Sequence, residues 1–530
     1  MLLLVICLFA FFTGLNKRSL FSQDVVRYAE IAREMIHFDS WLIPKFNGEV
    51  YANKPAPYIW LIAVPSLLIG EVNELTARMP SALAGFGAVI FTYLLASRMH
   101  SQSVGLFSAL SLVACYKFNL LARTSRTDMP FTFFVIAALY FFYSGIITSS
   151  RRSRYYIAGF VMLAGSVLIK GPAGFAVVLI TLTIYSITKR DKQIMVNRDA
   201  VCGFLIFLVI VGTWLIPTCI IGGSEFAKDL IFRQNIGRFA GEIDHAEPFY
   251  YYFYKLPIEI APLNLLLPLV IAFYITTKNH QIRDTKFLLI YMIAGFAFLQ
   301  LSMSRNIRYI LPIYPAIAIL YGIFWNDLIK CRYENAKILK GFFLGTSVVI
   351  LLLSLGVIFA MPVVCANKGI SKPLFAIALS IMLAVALSRA IRIWRVNRAV
   401  ALLVCFIAAS VIAYVFLVVQ MDYLEGVPAQ VSFGKALKHY AEGDELFLYK
   451  YRRRDSGHTM PSEFFYFGKY TPPIDSREHL RKIQELNKNR AICILTLNSV
   501  YEHEFKDKDL IEILLKQEYM GEEVILARMY

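Results

Sequence analysis

Long apolar runs separated by short polar segments are the feature that most constrains this chain. A transmembrane helix needs roughly 20 apolar residues, and the sequence offers about thirteen runs near that length. Hydrophobic residues make up 58% of the chain and charged residues only 17%, against roughly 25% charged in a soluble domain. We therefore predict an all-α polytopic membrane domain. The runs lie near 1–15, 78–97, 104–121, 129–148, 155–169, 172–188, 200–221, 258–277, 286–303, 308–326, 341–362, 373–390 and 400–420.

Basic residues are concentrated in alternate loops between these runs. The net charge of +17 would suit a nucleic-acid partner, but this placement is typical of a topology signal at an anionic membrane face. We therefore predict membrane lipids and no nucleic acid as partners, and we place the basic loops on the cytoplasmic face. These loops lie near 98, 151–154, 189–198, 278–286, 330–340 and 392–398.

The remaining connections fall on the opposite, extracytoplasmic face. The first run lacks a basic leader and a small-residue cleavage site, so we predict an anchor and not a cleaved signal. Nearly all residues with chemical potential lie on this face, which predicts an enzyme working on that side. The connections are 16–77, 122–128, 170–172, 222–257, 304–308 and everything after about 421.

The eight cysteines follow no metal-binding or disulfide pattern. Six lie in or beside apolar runs, one is in a basic loop, and Cys493 stands alone near the C-terminus. No CxxC or Cys/His spacing is present, which argues against a zinc site and against a disulfide framework. We predict no metal ligands and no cofactor, and a requirement for a divalent metal is left open.

Two domains are predicted. Residues 1–421 form the transmembrane domain, whose external loop 16–77 bears interfacial helices. From 422 to 530 the charge density rises and the apolar runs shorten, which predicts an extracytoplasmic α/β domain. This domain carries no catalytic motif, so a lid or an acceptor-docking role is favoured. The predicted strands are Glu445–Tyr451, Phe464–Tyr470, Ala491–Leu497 and Glu523–Arg528, and the predicted helices are Phe433–Ala441, Arg477–Asn487 and Lys508–Gln517.

The first external segment opens with an amphipathic pattern. Apolar residues at 25, 29, 32 and 36 follow helical spacing, which predicts a helix lying in the membrane interface. Asp24 stands at its start, followed by Arg27 and Tyr28. Asp24 is either a catalytic carboxylate or an N-cap of this helix.

A lysine follows in the same external segment. Lys54 lies beside Tyr51, Tyr58 and Trp60, and Pro55 stiffens the chain where it re-enters an apolar stretch. A cation at the headgroup level attracts phosphate. The alternative is a lysine that extends to the interface from a helix end.

A second acid and a second lysine lie between later spans. Asp128 belongs to an external loop with two arginines, where charges are costly near hydrocarbon unless they are paired or bind a ligand. Its alternative is a helix N-cap, which Pro130 favours. Lys170, in the sequence Lys-Gly-Pro, either contacts a lipid phosphate or belongs to a structural hairpin.

Further candidates lie in the loop 222–257 and beyond it. Arg238 is suited to a bidentate contact with phosphate, and His245 and Arg305 are candidate substrate-binding residues. The tyrosines at 250–254 are typical of an interfacial aromatic belt. Taken together, the segments provide two carboxylates and several cations on one side of the membrane domain.

These groups are the parts that glycosyl transfer from a lipid phosphate requires. Cations stabilise the leaving phosphate, and a carboxylate stabilises the oxocarbenium character that develops on the sugar. A hydroxyl acceptor also needs a base, which a carboxylate can supply. A phosphate acceptor is already anionic, and Asp24 would then orient the substrate and stabilise charge.

The ordered motifs resemble a known family. Asp24 to Ala29, Lys54-Pro55, Lys-Gly-Pro at 170–172, Arg238-Phe239 with His245 to Tyr251, and Tyr-Ile-Leu-Pro at 309–312 are similar to the bacterial aminoarabinose–lipid A transferases. More distantly, they resemble the protein O-mannosyltransferases, and both families are of the GT-C class. Two departures stand out: Val25 replaces the family's second acid, and Arg305 and Ile307 replace a Lys and a Pro.

The resemblance implies a thirteen-span inner-membrane enzyme with its active site and C-terminal domain in the periplasm. It implies Asp24 and Asp128 as the catalytic acids, and Lys54, Arg27 and Arg238 at the donor phosphate. Inverting transfer of an amino sugar from undecaprenyl phosphate to lipid A or a related acceptor follows, with a polyprenyl-phosphate-linked sugar as donor substrate. The alternatives are a protein O-glycosyltransferase and, from another class, a lipid or polysaccharide transporter. The implied substrate-binding residues are Tyr28, Tyr58, Lys170, His245 and Arg305.

Overall fold

The computed structural model describes two compact units. The first comprises Met1–Leu15, Asn53–Tyr58 and Arg78–Leu424, and the second comprises Asn16–Ala52, Ile59–Ala77 and Glu425–Tyr530. Three predicted spans after residue 340, and the predicted domain boundary at 422, lie outside the described residues. Those residues are 2–330 and 429–530, without 18, 21–22, 149–150, 241–246, 277–281, 442–443, 452–464, 469–470, 475, 488–490, 506–510 and 520–521.

The chain up to residue 330 is almost entirely helical. Each apolar run predicted in this part falls on a helix, and Ala56–Ile69 is an additional apolar helix inside the predicted external loop. The helices are α1 (Leu2–Phe12), α2 (Gln23–His37), α3 (Ala56–Ile69), α4 (Glu74–Met99), α5 (Gln102–Ala114), α6 (Tyr116–Ala122), α7 (Asp128–Ile147), α8 (Arg152–Lys170), α9 (Ala173–Lys189), α10 (Arg198–Lys228), a π-helix (Asp229–Gly237), α11 (Arg238–Ala240), α12 (Tyr251–Glu259), α13 (Leu267–Thr276), α14 (Ile282–Leu301) and α15 (Tyr314–Ile329), with 3₁₀ helices at Lys192–Ile194, Leu263–Leu266 and Ile307–Ile313.

Several of these helices are long and apolar enough to cross a bilayer. Within the described ranges, four continuous stretches qualify, and six do when two bent helix pairs are each taken as one span. The pairs are α5 with α6, bent by 73°, and α12 with the helix beginning at Leu263, bent by 100°. The protein is therefore a multi-pass membrane protein, while the count of thirteen spans stays a prediction.

Helix packing in the first unit depends on small residues. Helix α7 packs on α8, and α8 packs on α10. A Cβ on Gly145 would lie 2.7 Å from the Tyr156 ring, and a Cβ on Gly159 would lie 3.0 Å from the Phe142 ring. Because lipid gives no hydrophobic drive for helix association, such close approach is how membrane helices gain packing energy. These contacts pack the C-terminal part of α7 against the N-terminal part of α8, and the antiparallel run of the two helices then brings the start of α7 beside the end of α8.

The second unit contains the predicted interfacial helix and a small hairpin. Helix α2 begins at Gln23, one residue before Asp24, and buries its apolar face. It contacts the hairpin of β1 (Lys45–Phe46) and β2 (Glu49–Val50), which turns at Asn47 and Gly48. Asn47 has a φ of 54° and Gly48 a φ of 76°, so the two-residue turn uses the left-handed region, as tight hairpins require.

The C-terminal part of the second unit is the predicted α/β domain. Its five-stranded mixed sheet has the order β4-β3-β5-β7-β6 and is buried on both faces because neighbouring strand residues alternate between two apolar clusters. The strands are β3 (Glu445–Tyr449), β4 (Pro473–Ile474), β5 (Ile492–Leu497), β6 (Ile511–Tyr519) and β7 (Glu522–Met529), and the helices are α16 (Ala429–Tyr440), α17 (Arg477–Leu486) and α18 (Asn498–Glu504).

Two local predictions in this domain are wrong. The segment predicted as helix Lys508–Gln517 forms strand β6, because antiparallel pairing with β7 along Ile511–Tyr519 overrides local helical preference. The segment predicted as strand Phe464–Tyr470 contains a helical turn at residues 465–467. The other predicted strands and helices of the domain have counterparts at the predicted places.

Candidate active site

A buried ion pair joins the second predicted acid to the second predicted lysine. Asp128 opens α7 and Lys170 closes α8, and Lys170 Nζ donates to Asp128 Oδ1 at 2.5 Å. The side chains are 6% and 14% exposed, respectively. The N-cap alternative for Asp128 is wrong, because Thr127 occupies that position. Each charge is instead compensated by the other, which makes burial of both tolerable.

Aromatic rings complete the surroundings of Lys170. Its Nζ lies 4.6 Å from the centre of the Tyr309 ring and 5.2 Å from that of Phe131. Such cation–π contacts are attractive and strengthen when water is excluded. Tyr309 lies in the 3₁₀ helix Ile307–Ile313 and belongs to the Tyr-Ile-Leu-Pro motif, yet the sequence did not predict it as a site residue.

Two cavities in the first unit share a wall that contains both candidate lysines. The larger, of about 380 Å³, is mostly apolar, with Phe131, Val177 and Phe298 among its lining residues. The smaller, of about 210 Å³, is lined by the turn at 170–172, by α10 and by the π-helix. The residues common to both cavities are Lys54, Lys170, Pro172, Gln234 and Asn235.

The other predicted residues of the first unit occupy varied positions. Tyr58 is fully buried, and its hydroxyl lies 3.5 Å from Ser125 Oγ. Arg305 donates to the Glu247 carbonyl and, at 3.1 Å, to the Gln300 carbonyl, so it holds the preceding loop. Arg238 opens α11, and its side chain and all of His245 lie outside the described residues.

The first predicted acid belongs to the second unit. Asp24 lies in the first turn of α2, one residue inside it, and its Oδ1 is 3.7 Å from Arg27 Nη1. The two side chains are 40% and 28% exposed, while Tyr28 is buried. The Arg27 guanidinium lies 5.8 Å from the centre of the Phe46 ring in the hairpin. The prediction that Asp24 lies beside Lys54 and Arg238 stays a prediction.

Two further acids on α2 were not predicted. Glu34 is 1% exposed, and its carboxylate oxygens accept the backbone N–H groups of Asn47 at 2.7 Å and Gly48 at 3.0 Å. Burial raises the pKa of Glu34 to about 7, although the two backbone hydrogen bonds oppose this shift. Burial likewise raises the pKa of Glu30, against its ion pair with Arg33. Glu30 and Glu34 lie four residues apart, so they share one side of α2, and this spacing was the sequence pattern that could have pointed to them.

Metal binding has no visible support in the parts of the chain that the structure describes. There, no three or more His, Cys, Asp or Glu side chains group together in a way that suits a metal ion. The prediction of no metal cofactor is not tested by this observation and stays a prediction.

Known proteins match this chain in sequence and in fold. A family model described as dolichyl-phosphate-mannose-protein mannosyltransferase matches residues 53–216. An uncharacterized protein of Aquifex aeolicus is 28% identical over 68% of this chain and 70% of its own length. An undecaprenyl phosphate-alpha-4-amino-4-deoxy-L-arabinose arabinosyl transferase of Shewanella sediminis is 27% identical over 62% of this chain. That match spans 59% of the relative's own length.

The structural comparison covers nearly the whole chain. The crystal structure of ArnT from Cupriavidus metallidurans bound to undecaprenyl phosphate has a TM-score of 0.77 and 19% sequence identity. The match covers 99% of this chain and 97% of that one. The chain has the GT-C glycosyltransferase fold and resembles the aminoarabinose transferases. The structural match confirms the predicted fold class. The matches in sequence confirm the predicted family resemblance and the predicted class of glycosyltransferase.

Proposed function

We propose that this GT-C protein transfers a sugar from undecaprenyl phosphate to lipid A or a related envelope acceptor. The sugar is an amino sugar such as aminoarabinose, and transfer takes place at the periplasmic face of the bacterial inner membrane. The observation that carries the proposal is the position of Lys54 and Lys170 in the wall shared by an apolar cavity and a smaller one. The names of the arabinosyl transferase relatives support the choice of donor.

The larger cavity suits the prenyl chain of the carrier. Its lining is mostly aliphatic and aromatic. An apolar chain can therefore be buried there without leaving polar groups unpaired. The carrier phosphate then lies at the shared wall, where Lys54 and Lys170 supply positive charge. Arg238, the third predicted cation, acts on the same phosphate.

The transfer step breaks one bond and forms another. The acceptor oxygen attacks the anomeric carbon, and the bond from that carbon to the phosphate oxygen breaks with its electron pair leaving on the phosphate. The lysines stabilise the charge that develops on the leaving group, and the anomeric configuration inverts. A hydroxyl acceptor gives its proton to Asp24, whereas a phosphate acceptor has none to give and Asp24 then orients it.

The two predicted acids have different roles in this proposal. Asp128 is fully engaged by Lys170 at 2.5 Å and is buried, so it positions that lysine. Asp24 is 40% exposed, so substrate can reach its carboxylate. Arg27 and Tyr28 hold the same end of α2.

Analysis of the lipid A mass spectrum tests this function. A strain that makes the protein should show lipid A heavier by one sugar residue, and a strain without it should not. The strain with Asp24→Asn should resemble the strain without the protein. Unmodified lipid A in all three strains would contradict the proposed acceptor.

Protein O-glycosylation is the second candidate, because the matching family model is named for protein mannosyltransferases. Glycopeptides that depend on the protein, with unchanged lipid A, would favour it. A transporter would instead move labelled undecaprenyl-phosphate sugar across proteoliposomes without transferring the sugar.

A further inference from the structure

The π-helix Asp229–Gly237 lies at the wall between the two cavities. A π-helix is rare and is found mostly as short insertions at functional sites. Here it follows directly on the long apolar helix α10 and ends one residue before Arg238. Two consecutive residues of it, Gln234 and Asn235, line both cavities.

Gln234 reaches the residue that precedes Lys54. Its Nε2 donates to Asn53 Oδ1 at 2.9 Å, although the two residues are far apart in sequence. Asn53 and Lys54 lie in an irregular segment just before α3, where helix hydrogen bonds do not hold the backbone. The contact therefore ties the segment that carries Lys54 to the π-helix.

Asn235 contacts the residue that follows Lys170. Its Nδ2 donates to the carbonyls of Leu230 at 2.9 Å and Ile231 at 3.1 Å, which holds its amide group in place. Its Oδ1 then lies so close to Gly171 that a Cβ there would be 2.4 Å away. Gly171 has a φ of 92°, a conformation suited to glycine. The turn that ends α8 is therefore shaped to receive Asn235.

We propose that Gln234 and Asn235 are positioning residues that set the spacing between Lys54 and Lys170 for the carrier phosphate. Gln234 bonds the segment that carries Lys54, and Asn235 packs against the turn that follows Lys170, so one helix contacts both segments. A flexible lysine side chain loses conformational entropy when it is fixed, so a held backbone position makes it easier for two lysines to meet one phosphate. This inference rests on the proposed function, since it deepens the account of the same site.

The proposal can be tested with the purified full-length protein in detergent micelles. The measured quantity is how strongly undecaprenyl phosphate inhibits transfer from the donor sugar lipid. Gln234→Met keeps the side-chain length and removes the donor to Asn53, and it should weaken inhibition about three- to fivefold, because Lys54 is then less well positioned and the lost bond is an exposed one within the protein. The KM for the donor should rise in step, whereas kcat at saturation should change less than about twofold.

Two comparisons separate positioning from general damage. Gln193→Met places the same change in an exposed 3₁₀ helix outside both cavities, and it should leave inhibition and KM unchanged. Asn53→Leu should match Gln234→Met, and the double variant should be no weaker than either, because both remove one contact. Additive effects, or equal losses in kcat with unchanged KM, would overturn the proposal.

Lys54→Met distinguishes failure of this inference from failure of the function. If Lys54→Met weakens inhibition while Gln234→Met does not, the positioning role is wrong and the phosphate site stands. If neither variant alters inhibition in an active enzyme, the phosphate site itself is wrong.

Discussion

Asp128 and Asp24, one in each compact unit, are acids of the same predicted pair in opposite surroundings. Asp128 is buried and bonded to Lys170 at 2.5 Å, under aromatic rings. Asp24 is 40% exposed and 3.7 Å from Arg27. A buried, compensated acid organises its neighbours, whereas a more exposed acid can meet a substrate. We therefore propose a structural role for Asp128 and a chemical role for Asp24.

The largest effect should come from Asp24→Asn. Loss of a carboxylate that acts as a base or stabilises the sugar should reduce turnover about 10³-fold, because the amide carries no charge. Folding should be retained, since the side chain is partly exposed. Transfer assays on purified protein, with a thermal unfolding curve as the control, check this. Full activity of the Asp24→Asn variant would show that Asp24 is not the acid that takes part in the reaction.

Asp128→Asn should instead destabilise the protein. Lys170 would remain buried without its counter-charge, at a cost of about 3 kcal/mol. Adding Lys170→Met should restore thermal stability but not activity, because the cation that we propose to bind the phosphate is gone. A stable but inactive Asp128→Asn single variant would show that Asp128 acts on substrate as Asp24 does.

Glu34 is a third acid to compare with Asp128 and Asp24. It is buried, and its carboxylate accepts hydrogen bonds from backbone N–H groups. Its folded-state pKa, about 7, lies above its ordinary value of 4.5, so the folded protein binds more protons between these values. Its contribution to stability is therefore present at low pH and is lost as the pH rises through 7. Between pH 5 and pH 8 the wild type should lose about 2–3 kcal/mol relative to Glu34→Gln.

Thermal unfolding at both pH values, in wild type and variant, measures this difference. The same two measurements in a Glu30→Gln background remove the contribution of Glu30, whose pKa is also raised by burial and whose charge acts on Glu34. Parallel pH dependence in the two proteins would mean that Glu34 does not titrate in this range.

The smallest effect concerns the C-terminal domain. Tyr466 accepts the Leu20 backbone N–H at 2.7 Å and donates to Glu74 at 2.9 Å, and Arg33 on α2 donates to the Phe465 carbonyl at 2.9 Å. Tyr466→Phe should therefore destabilise the second unit by about 1–2 kcal/mol. Tyr530→Phe, which removes an exposed bond to Glu512, is the matched control and should change unfolding far less. Equal effects would remove Tyr466 as a link between α2 and this domain.

The apolar pattern predicted the helices well because burial in lipid depends on run length and composition, which are local properties. Each predicted run of the first 330 residues falls on a helix. The predictions failed where contacts with other elements determine the structure. Strand β6, for example, forms because it pairs with β7. Glu30 and Glu34 were missed because a charged residue on a helix looks solvent-exposed until its partners, Arg33 and the hairpin turn, are known.

The sequence by itself determined that this chain folds in a membrane, which motifs resemble the GT-C family, and which residue types are available for chemistry. Only the tertiary structure decided that Lys170 pairs with Asp128, that the Tyr309 ring contacts that lysine, and that Glu34 binds a turn. These contacts join residues distant in the chain, and their energies depend on burial and on distances of a few ångströms. Neither the burial of a residue nor these distances can be read from the order of residues in the chain.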